Sequence, residues 1–213
     1  ILLNKENKNR YLERFGISSK KKPEGKLIWL HTSSVGELKS ITKIIEIFYT
    51  KYIILVTTTT LTAANYACKN YKDKIIHQYI PLDISVWVKK FINNWQPSLI
   101  LWIESDLWPI TMNIIKEKNI KSLLINARIS PKSYNRWLYF TNFFRKITDN
   151  FDEIYAQSKI DKKRLENLTK RKIEYIGNLK LSNKKNNYNK NIYNQLKQKI
   201  NISKVIMLAS THD

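Results

Sequence analysis

A chain of 213 residues with 43% hydrophobic side chains can fill one large core, and its single cysteine, Cys68, excludes an intrachain disulfide. With only His31, His77 and His212 beside that cysteine, no Cys/His zinc cluster is readable from spacing, and no apolar run reaches the ~18 residues that span a bilayer. The net charge of +21 fits a phosphate backbone, an anionic lipid surface or compositional drift toward Lys, Asn, Ile and Tyr, and charge alone does not separate the three.

In chain order, residues 1–25 read as a basic entry segment, and the start at Ile1 rather than Met suggests a missing N-terminal stretch that could have held an anchor. The apolar run at 27–30 predicts a strand, followed by a polar turn from His31 and a helix over 37–49. The unit then recurs. Strands are predicted at 52–57, 75–80, 98–103, 122–126, 153–156 and 173–176, with helices near 61–70, 84–94, 107–118, 134–148 and 159–168. Such alternation argues for an α/β, Rossmann-like fold over 26–181, with a mostly parallel sheet and helices on both faces. Residues 182–203 are Asn/Lys-rich and read as a linker with one helix at 191–200. Residues 204–213 open a further strand, and a strand without its helix leaves backbone groups that need partners. A truncated two-domain protein is therefore expected.

In sheets of this kind the loops at the carboxyl ends of the strands carry the ligands. After the first strand comes HTSSVGE, where Ser33, Ser34 and Gly36 let a backbone approach a ligand and the following helix start favours an anionic group. Glu37 has two readings: the carboxylate of an S-x-x-E capping box with Ser34, or a general base over the crevice. Glu104 ends a strand so apolar that a carboxylate there argues for a purpose, whereas Asp106, two residues on, is expected to point elsewhere or to cap the next helix. Arg128, in a short polar loop, suits a phosphate or carboxylate clamp, or else a surface ion pair. Lys180 is singled out among many lysines only by its place after Gly177 and Asn178. The run 57–60, TTTT, is a strand end with an N-cap or a second turn lining the crevice. Trp102 and Trp108 are expected in the core.

Taken together, WLHTSSVGE, TTTT, IPLDI, ESDLWP, NARIS and GNLK, in that order, resemble the Kdo (3-deoxy-D-manno-octulosonic acid) transferases of glycosyltransferase family 30. STHD at the end is similar to the start of that family's S-T-H-E-G-E, and RYLERFG is like its basic entry segment. The resemblance implies the acceptor-binding N-terminal domain of a GT-B enzyme that moves Kdo from CMP-Kdo to the lipid A precursor (lipid IVA), inverting and without metal or other cofactor. It implies Glu37 as proton acceptor, Glu104 and Lys180 as transition-state stabilisers, Ser33, Ser34, Gly36 and Arg128 on the acceptor side, and His212 on the donor side. It also implies the cytoplasmic face of the bacterial inner membrane, an anionic surface that explains the basic charge better than a nucleic acid does. No nucleic-acid partner is expected. Asp106 stands where the family has glutamate, Ile110 where asparagine is usual and Asp213 where glutamate is. The competing readings are another GT-B glycosyltransferase, or a basic membrane- or nucleic-acid-binding module without catalysis.

Overall fold

Strand β1 (Leu27–Thr32) is buried along its whole length. Successive strand residues point to opposite faces, so Leu27 and Trp29 enter one apolar layer with Phe91, Trp95 and Trp102. Ile28 and Leu30 enter a second layer with Leu38, Ile41 and Ile45 on the other side. A sheet covered on both faces is the setting in which parallel pairing persists. This computed structural model describes residues 7–104, 106–182 and 190–200.

The chain divides into two units, residues 1–183 and 184–213. In the first, β1 is joined by β2 (Ile53–Thr58), β3 (Ile76–Tyr79), β4 (Leu99–Ile103), β5 (Lys121–Ala127), β6 (Glu153–Ala156) and β7 (Glu174–Tyr175). All pairs are parallel, in the order β3-β2-β1-β4-β5-β6-β7. The expected Rossmann-like α/β architecture is thus the observed one. The order reverses between β1 and β4, and His31 lies opposite both Thr57 and Trp102, so the strand ends flanking the reversal are level. A crevice at such a reversal is where open α/β sheets take their ligands. The second unit contributes α10 (Lys190–Lys199), in place of the helix predicted at 191–200. The strand predicted after 204, and with it His212, lies outside the described residues.

Two predicted helices are each broken in two. Residues 37–49 form α1 (Val35–Ser40) and α2 (Thr42–Phe48). Ser40 Oγ donates to the Glu37 carbonyl at 2.6 Å and Thr42 Oγ1 to the Lys39 carbonyl at 2.8 Å, and such side-chain competition for backbone acceptors interrupts a helix. Between α3 (Leu61–Asn70), α4 (Ser85–Trp95), α5 (Pro109–Glu117) and α8 (Lys159–Thr169), the other predicted helix is α6 (Pro131–Leu138) followed by α7 (Thr141–Thr148). The break at Tyr139 and Phe140 folds α7 back so that Trp137 meets Phe144 at 5.0 Å between ring centroids.

The N-terminal segment is clamped to the sheet edge. A 3-10 helix (Tyr11–Phe15) buries Glu13, whose carboxylate accepts both Arg10 Nε at 2.8 Å and Arg10 Nη2 at 2.9 Å, and also the Tyr79 N–H at 2.7 Å. Arg14 donates to the carbonyls of Ile80 at 3.1 Å and Thr59 at 2.5 Å, tying two strand-end loops together. Arg10 Nη2 lies 2.9 Å from His77 Nδ1, and because a guanidinium only donates, that nitrogen is the acceptor and Nε2 carries the proton toward Thr58 Oγ1. Burial first, then the Arg10, Lys20 and Arg14 charges, hold the His77 pKa down to about 3, in keeping with a neutral ring.

Candidate active site

The loop after β1 makes Ser34 the N-cap of α1 and puts Glu37 at its third position. Half of the capping box forms, with Glu37 N–H donating to Ser34 Oγ at 3.3 Å, and Ser34 Oγ donates to Glu37 Oε1 at 3.0 Å. The other carboxylate oxygen, Oε2, accepts the Ser33 N–H at 2.7 Å. A carboxylate has about four lone-pair sites, so these bonds leave room for a substrate proton. Burial pushes the Glu37 pKa above its usual value, and the charges of Glu104 and Asp106 act in the same sense, against the donors Ser33 and Ser34.

Glu104 follows β4 with φ 65°, a left-handed conformation that glutamate rarely adopts. It is buried, its N–H donates to the Ile125 carbonyl at 3.1 Å, and its Oε1 lies 2.5 Å from Lys180 Nζ. Lys180 reaches it from α9 (Leu179–Ser182), 76 positions along the chain. Asn126, at the end of neighbouring β5 with φ 56°, completes the join. Its Nδ2 donates to Glu104 Oε1 at 3.4 Å and its Oδ1 accepts the Leu179 N–H at 3.1 Å. The structure therefore brings Glu37, Glu104 and Lys180 to one edge of the sheet, at the strand-order reversal.

Asp106 does not turn away from this crevice, as the sequence suggested, nor does it cap a helix. Its carboxylate accepts the Ser33 hydroxyl, while its carbonyl accepts Trp102 Nε1 at 2.5 Å. Burial alone would raise its pKa, but His31, Ser33 and Trp108 outweigh burial and bring it down to about 2. His31 is fully buried against Trp102, with its Nδ1 2.9 Å from Thr57 Oγ1, and burial holds its pKa below the usual value against the pull of Asp106. Ser33 thus links the two carboxylates, giving its N–H to Glu37 and its hydroxyl to Asp106, and Thr59 and Thr60 donate to it at 3.3 Å each.

Of the remaining predicted positions, Gly36 is exposed in α1, and a Cβ there would meet only Ser34 Oγ at 3.8 Å, which keeps the backbone approachable. Arg128 is exposed on a neighbouring cleft that Glu104 and Asp106 also line. Three positions that support the site were not assigned a role from sequence. Asp83 accepts the N–H groups of Ile110 and Thr111 at 3.0 and 2.7 Å and so caps α5 from another loop. Asn126 is the bridge already described, and Asp161, buried, accepts the Ile129 N–H at 2.9 Å and fixes the loop that carries Arg128. The motifs IPLDI and NARIS contained two of them, but without their distant partners. Among the described residues no three His, Cys, Asp or Glu side chains are grouped to hold a metal ion.

Residues 9–183 match the family model described as 3-deoxy-D-manno-octulosonic-acid transferase (kdotransferase). The chain belongs to the Kdo transferase family. Curated Kdo transferases agree: that of Rickettsia bellii is 34% identical over all of this chain and 51% of its own length. That of Rickettsia felis is 36% identical over 87% of this chain and 40% of its own, and that of Haemophilus influenzae 29% over 97% and 50%. The chain spans about half the length of the Kdo transferases it matches. Among solved structures, the UDP-GlcNAc 2-epimerase of Neisseria meningitidis bound to UDP-GlcNAc superposes with a TM-score of 0.53 at 13% identity, over 84% of this chain and 55% of that one. An epimerase from Listeria monocytogenes gives 0.52 at 12% identity, over 80% and 52%. These two likenesses show the fold, a Rossmann-like half of GT-B type.

Proposed function

We propose that this chain is the acceptor-binding half of a Kdo transferase that moves Kdo from CMP-Kdo to the lipid A precursor, with inversion and without a metal. The observation that carries the reading is the meeting of a raised-pKa carboxylate, Glu37, with the Glu104–Lys180 pair at the strand-order reversal. In a single displacement the acceptor oxygen bonds to the anomeric carbon of Kdo while the bond to the CMP phosphate breaks and its electron pair leaves with CMP. The hydroxyl proton passes to Glu37, a base whose raised pKa lies nearer the working pH than that of an ordinary carboxylate. Glu104 faces the positive charge that grows on the sugar, held by Asn126 in a conformation fixed before reaction. Lys180, about 41% exposed at its side chain, can turn from Glu104 to the departing phosphate. No covalent enzyme intermediate is required for inversion.

The place of work proposed is an anionic membrane surface on the cytoplasmic side. The turn between α6 and α7 supports it: Leu138, Tyr139, Phe140 and Phe143 are exposed, Tyr139 by 85%, with Lys132, Arg136 and Lys146 close in the chain. Aromatic tips beside basic residues suit a headgroup layer. Among the described residues no helix is long and apolar enough to cross a membrane.

The test is transfer of Kdo from CMP-Kdo to lipid IVA, by the 213 residues alone and by the same residues joined to the remaining half of a related Kdo transferase. The joined protein is expected to transfer and the isolated chain to give none. A joined, folded protein that binds CMP-Kdo yet modifies no lipid A precursor would count against the reading.

A further inference from the structure

The chain has seven arginines, and five of them are built into the fold. Arg10 and Arg14 hold the N-terminal clamp, Arg145 donates to the Leu168 carbonyl, Arg164 to that of Ile129, and Arg171 to those of Thr148 and Phe151. The other two, Arg128 and Arg136, are exposed and make no ion pair or side-chain hydrogen bond among the described residues. Both line the same cleft. Two guanidinium forks lining one cleft can grip a single oxyanion through charge-assisted bidentate bonds, which points to an anionic ligand.

The cleft measures about 430 Å³, inside the range of roughly 300–1,000 Å³ seen for small-molecule sites. One wall is the loop after β4, with Glu104 and Asp106; the other is the loop after β5 and the first turns of α6. Ser130, Ser133 and Arg136 follow at three-residue spacing and so share a helix face. Ser130 caps α6 and donates to Ser133 Oγ at 3.1 Å, which leaves the Ser133 proton for another acceptor. Trp137 adds an aromatic surface.

We infer that this cleft is a subsite for a sugar phosphate monoester, its phosphate held by Arg128, Arg136 and Ser133 and its hydroxyls turned to Glu104 and Asp106. Two forked cations and a hydroxyl match the three oxygens of a phosphate better than the two of a carboxylate. A carboxylate wall accepts sugar hydroxyls, and Trp137 gives a sugar face something to stack on. The inference rests on the reading of the chain as an acceptor-binding half, and specifies how that acceptor is held: the phosphate lies beside α6 and directs a hydroxyl to the Glu37–Glu104 crevice.

The experiment is calorimetric titration of the 213-residue chain with glucosamine 1-phosphate, glucosamine, glucuronate and CMP. Glucosamine 1-phosphate is expected to bind most tightly, and Arg128→Gln or Arg136→Gln to weaken it about tenfold each, the loss of one charge-assisted contact. Lys163→Gln removes the same charge from the exposed face of α8, outside the cleft lining, and is expected to leave affinity unchanged. Both arginines are exposed, so the unfolding midpoint of each variant should match the parent. The subsite is overturned if glucuronate or CMP binds as well with the same arginine dependence, if both arginine variants keep parental affinity, or if the parent binds no sugar phosphate. Lipid IVA binding that survives both arginine substitutions would overturn the subsite and leave the acceptor reading standing; a parent chain that binds neither lipid IVA nor the sugar phosphate would overturn both.

Discussion

Glu37 is asked to do two things by one carboxylate. As a cap it accepts from Ser33 and Ser34, which favours its charged form, but burial and the neighbouring charges of Glu104 and Asp106 win, so its pKa is raised. The sign fixes the pH behaviour. A base must be ionised, so the rate falls as pH drops through a value above that of an ordinary carboxylate. Asp106, held down to about 2, stays charged throughout that range. Asp106→Asn removes that charge, so the acid limb of the kcat/KM profile in a joined enzyme is expected to move to lower pH; an unmoved limb would deny the coupling. Asn126→Ala is expected to cut kcat more than tenfold with little change in KM, because it frees Glu104 and the start of α9 together. Loss of acceptor affinity alone would assign Asn126 to binding.

At the scale of elements, the N-terminal clamp holds the edge strand and the loops that line the crevice. Glu13→Gln leaves Arg10 facing a neutral partner beside the buried Tyr79 N–H and should destabilise the fold by roughly 3 kcal/mol, as breaking a buried ion pair does, read as a lower denaturant midpoint. Gly16 has φ 69°, and a Cβ there would sit 2.2 Å from the Trp87 carbonyl oxygen, so Gly16→Ala should cost at least about 2 kcal/mol. A midpoint unchanged in either variant would separate the segment from the sheet. The strands and the order of helices were legible because apolar runs of strand length alternate with helical patterns. The two helix breaks were not, since Ser40 and Thr42 look like ordinary helix-surface residues until their hydroxyls find carbonyls, and the turn at Tyr139 is set by Trp137 meeting Phe144. The site was legible where an unlikely residue type follows an apolar run, as at Glu37 and Glu104. It was hidden where the partner is remote, as for Asp83 with Thr111 or Asn126 with Leu179, and Asp106 was misjudged because Ser33 lies 73 positions away.

For the whole molecule, the sheet reversal gathers the carboxylates, the cleft beside them carries two arginines without side-chain partners among the described residues, and the aromatic turn from Leu138 to Phe140 follows directly from α6, which lines that cleft. One continuous path from a lipid surface to a reacting hydroxyl is the arrangement proposed. The chain is expected to sediment with vesicles containing anionic lipid and much less with neutral ones, and replacing both Tyr139 and Phe140 by serine should weaken the association about a hundredfold, roughly tenfold for each aromatic. Equal binding to neutral vesicles would remove the electrostatic part of that account. The most direct trial of the catalytic account is Kdo transfer by this chain joined to the remaining half of a family member, with Glu37 intact and as Glu37→Gln. The account predicts that kcat falls by about 10²–10⁴ while lipid IVA binds with unchanged affinity; a variant that keeps a near-normal kcat would leave Glu37 as a helix cap and contradict it.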